Sequence, residues 1–124
     1  MKNLELNPTA DTPYVLCDIE GKITMKGRSL PENPSAYYAP IFAWAKSYEK
    51  KEILLDFKLE YFNTASSKQI FNLIKILVEN TIISDIKVKW HYEEGDYDSL
   101  ETGQHYAHLF RIPFDFIEYA ETEM

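Results

Sequence analysis

Glycine occurs only four times in these 124 residues, and cysteine once. So few glycines leave no glycine-rich phosphate loop, and no nucleophile elbow is present either. The lone Cys17 rules out an internal disulfide and a multi-cysteine metal site, and it agrees with a reducing, cytoplasmic setting. Long apolar runs are missing too: none reaches the roughly 18–20 residues that span a bilayer. Residues 1–8 lack the apolar core of a signal peptide, so the cytoplasm is the expected location. Positive charge is in short supply, with 13 Lys and Arg against 20 Asp and Glu and a net charge of −7. Such a surface repels phosphate backbones, which argues against nucleic-acid and anionic-membrane partners.

What the chain does have is a hydrophobic content of 45% and an aromatic content of 15%, the composition of one folded domain. Residues 1–11 are polar, contain a proline and read as a loosely held lead-in; residues 12–124 make the domain. Residues 13–17 and the alternating 22–26, separated by Glu20-Gly21, predict a β-hairpin that Gly27 ends. Asn33-Pro34 predicts an N-cap and first turn, followed by a helix with Pro40 as a kink or restart. Residues 52–61 read as a central strand and residues 66–80 as a helix whose apolar side chains cover much of its circumference. Ser66 and Gln69 have the spacing of a capping box. Residues 85–92 alternate as a strand, 98–110 form an acid-fronted helix, and 114–119 a last strand. The order is β-β-α-β-α-β-α-β, and a single mixed α/β sheet with helices packed on it is the economical solution.

Chemistry-bearing residues gather at one junction. Asn63, Thr64, Ser66 and Ser67 sit where the central strand ends and the second helix begins. Unpaired N–H groups and the positive end of the helix dipole favour an anion there. A hydroxyl at that point caps the helix, worth about 1 kcal/mol, or carries a phosphate of about −1.5 to −2 charges. Spacing alone does not choose among Thr64, Ser66 and Ser67. Elsewhere, Glu101, His105 and His108 share one face of a helix at metal-ligand spacing, with no evident supporting partner. The acidic run Glu93-Glu94-Gly95-Asp96-Tyr97-Asp98 lacks the order of a calcium loop and reads as a solvated helix entrance. His91 reads as a surface residue. Tyr37, Tyr38, Trp44 and Tyr48 are more aromatics than one helix face can bury beside Ile41 and Phe42, so some are candidates for an interface.

Four segments carry a family likeness: Thr12-Pro13-Tyr14-Val15; Gly27-Arg28-Ser29-Leu30-Pro31-Glu32-Asn33; Leu59-Glu60-Tyr61-Phe62-Asn63-Thr64-Ala65-Ser66-Ser67-Lys68; and Lys89-Trp90-His91-Tyr92. Together they resemble the SiaC-type bacterial regulatory phosphoproteins, from about Thr12 to Phe116, and Tyr-Phe-Asn-Thr is the most specific element. The resemblance implies a STAS-like fold, similar to that of anti-anti-sigma factors, and a protein that is a switch rather than an enzyme and needs no cofactor. It implies that Thr64 is phosphorylated by a partner Ser/Thr kinase and dephosphorylated by a metal-dependent phosphatase. The dephosphorylated form is then expected to bind a diguanylate cyclase, linking it to cyclic di-GMP and biofilm regulation. Asn63 stands where an anti-anti-sigma factor usually has aspartate, and Ala65 where the family commonly has serine. Tyr61, Asn63, Ser66, Ser67, Lys68, Glu32 and Asn33 are the expected partner-binding residues. The alternatives are an antagonist of a kinase-like anti-sigma factor and a metal-binding module built on Glu101, His105 and His108.

Overall fold

Three antiparallel strands open the chain: β1 (Leu4–Leu6), β2 (Tyr14–Asp18) and β3 (Lys22–Ser29). Three β-strand–helix repeats then extend the sheet in parallel: α1 (Pro34–Ser47), β4 (Glu52–Phe62), α2 (Thr64–Glu79), β5 (Asp85–Glu93), α3 (Tyr97–Phe110) and β6 (Phe114–Tyr119). The computed structural model describes residues 1–120; residues 121–124 of the expected domain lie outside the described residues. Strand order follows the sequence, β1-β2-β3-β4-β5-β6. This is the expected mixed α/β domain, with one strand more than the sequence pattern suggests.

That extra strand corrects the loose lead-in. Leu4 pairs with Cys17 and Leu6 with Val15, and both leucines pack against the core. Asn3 Oδ1 accepts the Ile19 N–H (2.8 Å), and Lys2 O accepts the indole N–H of Trp44 (3.0 Å). A three-residue strand is too short to leave a period-two signature in sequence.

The helices all pack on one sheet face. Ile23 and Met25 of β3, Ile53, Leu55, Phe57 and Leu59 of β4, and Ile86, Val88 and Trp90 of β5 are buried there, while the alternate positions Asp56, Lys87 and Lys89 face the other way. Near the middle of that open face, His91 Nε2 lies 2.8 Å from Asp56 Oδ1, and Lys22 Nζ lies 3.5 Å from Asp56 Oδ2. His91 is therefore a half-buried partner of Asp56 rather than a plain surface residue.

Four further expectations are corrected. Gly27 does not end its strand: it takes φ +110° at a bulge where Gly27 pairs with Leu59 and Arg28 with Tyr61, and β3 continues to Ser29. Pro40 does not break α1, which runs unbroken from Pro34 to Ser47 because its packed face outweighs one lost hydrogen bond. Tyr38 and Trp44 of that helix and its C-cap Tyr48 are buried, and Tyr37 is half-buried with its hydroxyl donating to Pro13 O (3.2 Å). Alanines and Pro40 occupy the outer face instead, so the first helix offers no aromatic interface. On α2, Ile70, Leu73, Ile74 and Leu77 are buried but Val78 is 40% exposed, so burial is one-sided.

Candidate functional site

Local chemistry sets where α2 begins. The Asn63 side chain accepts the Ser66 N–H (2.9 Å), so Asn63 is the N-cap and Thr64 the first helical residue. The helix starts two residues before the expected position, and Ser66 is an interior residue of the first turn, not a cap. Asn63 N–H donates in turn to Ser29 O (3.2 Å), and Ser67 N–H to Asn63 O (2.9 Å). The Thr64 and Ala65 N–H groups are left as the open donors of this helix end.

The three candidate hydroxyls now separate. Ser66 is fully buried, and its Oγ accepts from Ser29 Oγ (2.9 Å), which lies 2.6 Å from Tyr38 OH. Ser67 is half-buried; its Oγ is 2.5 Å from Tyr106 OH, and the same phenol donates to Ser67 O (2.7 Å). Thr64 is exposed and has neither kind of tie.

A cavity of about 280 Å³ opens beside it, bounded on one side by Tyr61, Asn63, Thr64 and Ser67 and on the other by Asp96, Asp98, Ser99 and Thr102. The second wall is the start of α3. Asp96 caps that helix by accepting the Ser99 N–H (3.1 Å), as the acidic run suggested. Trp90 holds the turn to the sheet by donating its indole N–H to Ser99 O (3.0 Å). Two helix N-termini thus face one polar cavity at the carboxyl ends of parallel strands, the place where such sheets bind ligands. One wall carries carboxylates and the other a free hydroxyl.

Of the expected partner-binding residues, Tyr61, Asn63 and Ser67 line this cavity, Lys68 is exposed one turn along α2 from Thr64, and Ser66 is out of reach in the core. Tyr61 is 48% exposed and has the Arg28 guanidinium 5.5 Å from its ring centre. Glu32 and Asn33 are exposed in the loop after Ser29, whose carbonyl binds Asn63, and Asn33 caps α1 through the Ala36 N–H (3.1 Å). Sequence reasoning missed the second wall, Asp96 and Asp98, because 30-odd residues and a strand separate it from Thr64. It also missed Tyr97, 65% exposed beside that wall.

The proposed metal triad does not converge. Glu101, His105 and His108 are all exposed on α3, and among the described residues no group of three or more His, Cys, Asp or Glu side chains is placed to hold a metal ion. Helical spacing puts them on one face of α3, where Glu101 and His105 share a shallow groove with Ser67 and Asp98.

Comparison with known proteins gives a consistent picture. A family model described as SiaC family regulatory phosphoprotein matches residues 6–119. An uncharacterized protein of Pseudomonas aeruginosa (strain UCBPP-PA14) is 25% identical over 119 residues, covering 92% of this chain and 94% of that protein. The crystal structure of apo-SiaC from Pseudomonas aeruginosa superposes with a TM-score of 0.83 at 24% identity, covering 94% of this chain and 99% of that one. A crystal structure of the diguanylate cyclase SiaD in complex with its activator SiaC, from the same organism, gives 0.82 at 24% identity over the same shares. These structural likenesses concern the fold.

Proposed function

Since the chain belongs to the SiaC family of regulatory phosphoproteins, we propose that Thr64 is its phosphoacceptor and that phosphate there controls docking on an effector. One observation carries the choice of residue: among the three hydroxyls at the α2 entrance, Thr64 alone is exposed, while Ser66 and Ser67 are committed to Ser29 and Tyr106.

A phosphate on Thr64 would gain from the open N–H groups of the first turn and from Lys68 four residues on. It would also face the carboxylates of Asp96 and Asp98 across the cavity. In the unmodified protein the rim formed by Tyr61, Asn63 and Thr64 is uncharged and half apolar, a surface an effector can cover. Covering that double charge with an effector would strip it of water with only Lys68 and the helix N–H groups to offset the loss, which costs several kcal/mol and releases the partner. A Ser/Thr kinase adds the phosphate in this scheme, and a metal-dependent phosphatase removes it. The effector we propose is a diguanylate cyclase, by analogy with the cyclase that SiaC activates. Signalling through cyclic di-GMP would follow from that partner, with the cytoplasm as its setting.

The test is phosphosite mapping by mass spectrometry after incubating wild type and Thr64→Ala with ATP, magnesium and lysate of the native host. Phosphate on Thr64 in wild type and none at that position in the variant is the expected result. Phosphate on Ser66 or Ser67 instead would overturn the assignment. With the host's diguanylate cyclase, Thr64→Ala should bind as unmodified wild type does, and Thr64→Glu about tenfold or more weakly.

A further inference from the structure

Beneath Thr64, three hydroxyls that no solvent reaches form one chain. Ser29, Tyr38 and Ser66 each have 0% exposure. Ser29 Oγ donates to Ser66 Oγ (2.9 Å), which leaves Tyr38 OH to donate to Ser29 Oγ (2.6 Å). Ser29 also accepts the Asn63 N–H at its carbonyl (3.2 Å). One residue of β3 therefore grips α2 at positions 63 and 66, on either side of Thr64, and grips α1 at Tyr38.

Packing does not require this. The surrounding core is aliphatic and aromatic, with Met25, Ile41 and Ile70 fully buried nearby in sequence, and burying three hydroxyls in such a place is favourable only when all are satisfied. An apolar trio of the same shape would hold the helices together equally well. What hydroxyls add is direction, because a short hydrogen bond tolerates little displacement. The chain begins near the α1 entrance, where Asn33 and Glu32 are exposed, and ends at the α2 entrance, where Thr64 is exposed.

We propose that Ser29 is a positioning residue that fixes the presentation of Thr64 and, through Tyr38 and Ser66, couples the α2 entrance to the first turn of α1. The two entrances then form one composite surface, and charge placed on Thr64 is felt in the turn that follows Glu32 and Asn33. This deepens the phosphoacceptor reading of Thr64, yet its test needs neither kinase nor partner.

The experiment is hydrogen exchange by mass spectrometry on purified protein, with thermal unfolding as the control. The variants are Thr64→Glu and the triple Ser29→Ala/Tyr38→Phe/Ser66→Ala, alone and combined. Removing all three hydroxyls strands none of them, so the triple variant should melt near the wild-type temperature. It should nevertheless exchange about tenfold faster at Ser66 and Ser67, whose N–H groups are bonded to Asn63, because local opening is a separate equilibrium from global unfolding. With the chain intact, Thr64→Glu should change exchange at residues 36–38 of α1; in the triple background that distant response should vanish. Unchanged protection at Ser66 and Ser67 in the triple variant, or a response at residues 36–38 equally strong without the hydroxyls, overturns the proposal. Should the triple variant fail to fold, Tyr38→Phe in the Thr64→Glu background cuts the chain at its α1 end and reads the same loss. A failure to find phosphate on Thr64 would count against the function and leave this coupling result standing.

Discussion

Tyr106 and Ser67 are joined twice across the α2–α3 contact: the phenol donates to the Ser67 carbonyl (2.7 Å) and lies 2.5 Å from the Ser67 hydroxyl. The contact closes one side of the cavity next to Thr64. It also engages both the hydroxyl and the carbonyl of Ser67, three residues along the same helix from Thr64. Tyr106 further packs its ring edge-on to Trp90 and to Phe71, so the contact is continuous with the core.

Replacing Tyr106 by Phe keeps that ring packing and removes both ties. We expect a loss of about 1–2 kcal/mol in urea unfolding, the size of a part-buried hydrogen bond left half-made. Ser67→Ala should cost less, since the phenol keeps the Ser67 carbonyl. Equal losses in the two variants would show that the carbonyl bond contributes little.

Gly103 is where α3 lies closest to the sheet. A Cβ there would come within 2.9 Å of both the Trp90 ring and the Phe116 ring, neither of which is the tip of a flexible chain. Gly103→Ala is therefore expected to destabilise by about 1–3 kcal/mol, although alanine is the better helix former by about 1 kcal/mol. Thermal unfolding gives the sign, and Trp90 fluorescence reports whether the Ser99 turn has shifted.

Electrostatic repulsion across the cavity is testable without phosphorylation. Thr64→Glu places a carboxylate opposite Asp96 and Asp98. Adding Asp98→Asn should recover about 0.5 kcal/mol in a double-mutant cycle, as expected for partly exposed like charges. Asp98 is exposed, so about 1 M salt, with a Debye length near 3 Å, should erase most of the coupling. A coupling that survives high salt would point to contact rather than charge.

Alkaline pH should unfold the protein in a defined window. Burial raises the phenols of Tyr38, Tyr48 and Tyr106, and pushes Tyr37 up to about 12. A raised pKa in the folded state means that the unfolded chain loses its proton first. The stability these tyrosines contribute is full below their unfolded value near 10 and falls as pH rises from there towards 12. Melting temperature should be flat between pH 7 and 8, begin to fall near pH 9 as the unfolded Cys17 thiol ionises, and drop more steeply above 10, less so for Tyr37→Phe. Cys17, also pushed up to about 12 by burial, should react with thiol reagents at pH 8 only after denaturation.

How much of this was legible beforehand follows from the range of each force. Strands with unbroken or alternating apolar patterns, β4 and β5, were read within a residue or so of their bounds, because side-chain period is local. The cap of α1 was readable for the same reason, with Asn33 before Pro34, whereas the acidic run marked the entrance of α3 without naming its cap, Asp96. The start of α2 was misplaced because Asn63, Thr64, Ser66 and Ser67 are all competent caps. The choice of Asn63 depends on its N–H finding Ser29 on another strand.

By itself, then, the sequence determined a single mixed α/β domain, the strand–helix junction that gathers Asn63, Thr64, Ser66 and Ser67, and the family likeness carried by Tyr61-Phe62-Asn63-Thr64. Only the tertiary structure separated the hydroxyls by exposure, leaving Thr64 at the surface. Their availability is set by residues 37 and 39 positions away, Ser29 for Ser66 and Tyr106 for Ser67. It also supplied the acidic wall of the cavity and left Glu101, His105 and His108 exposed along α3 with no metal site among the described residues, since contacts between distant segments are fixed by how helices pack on the sheet and leave no periodic mark along the chain.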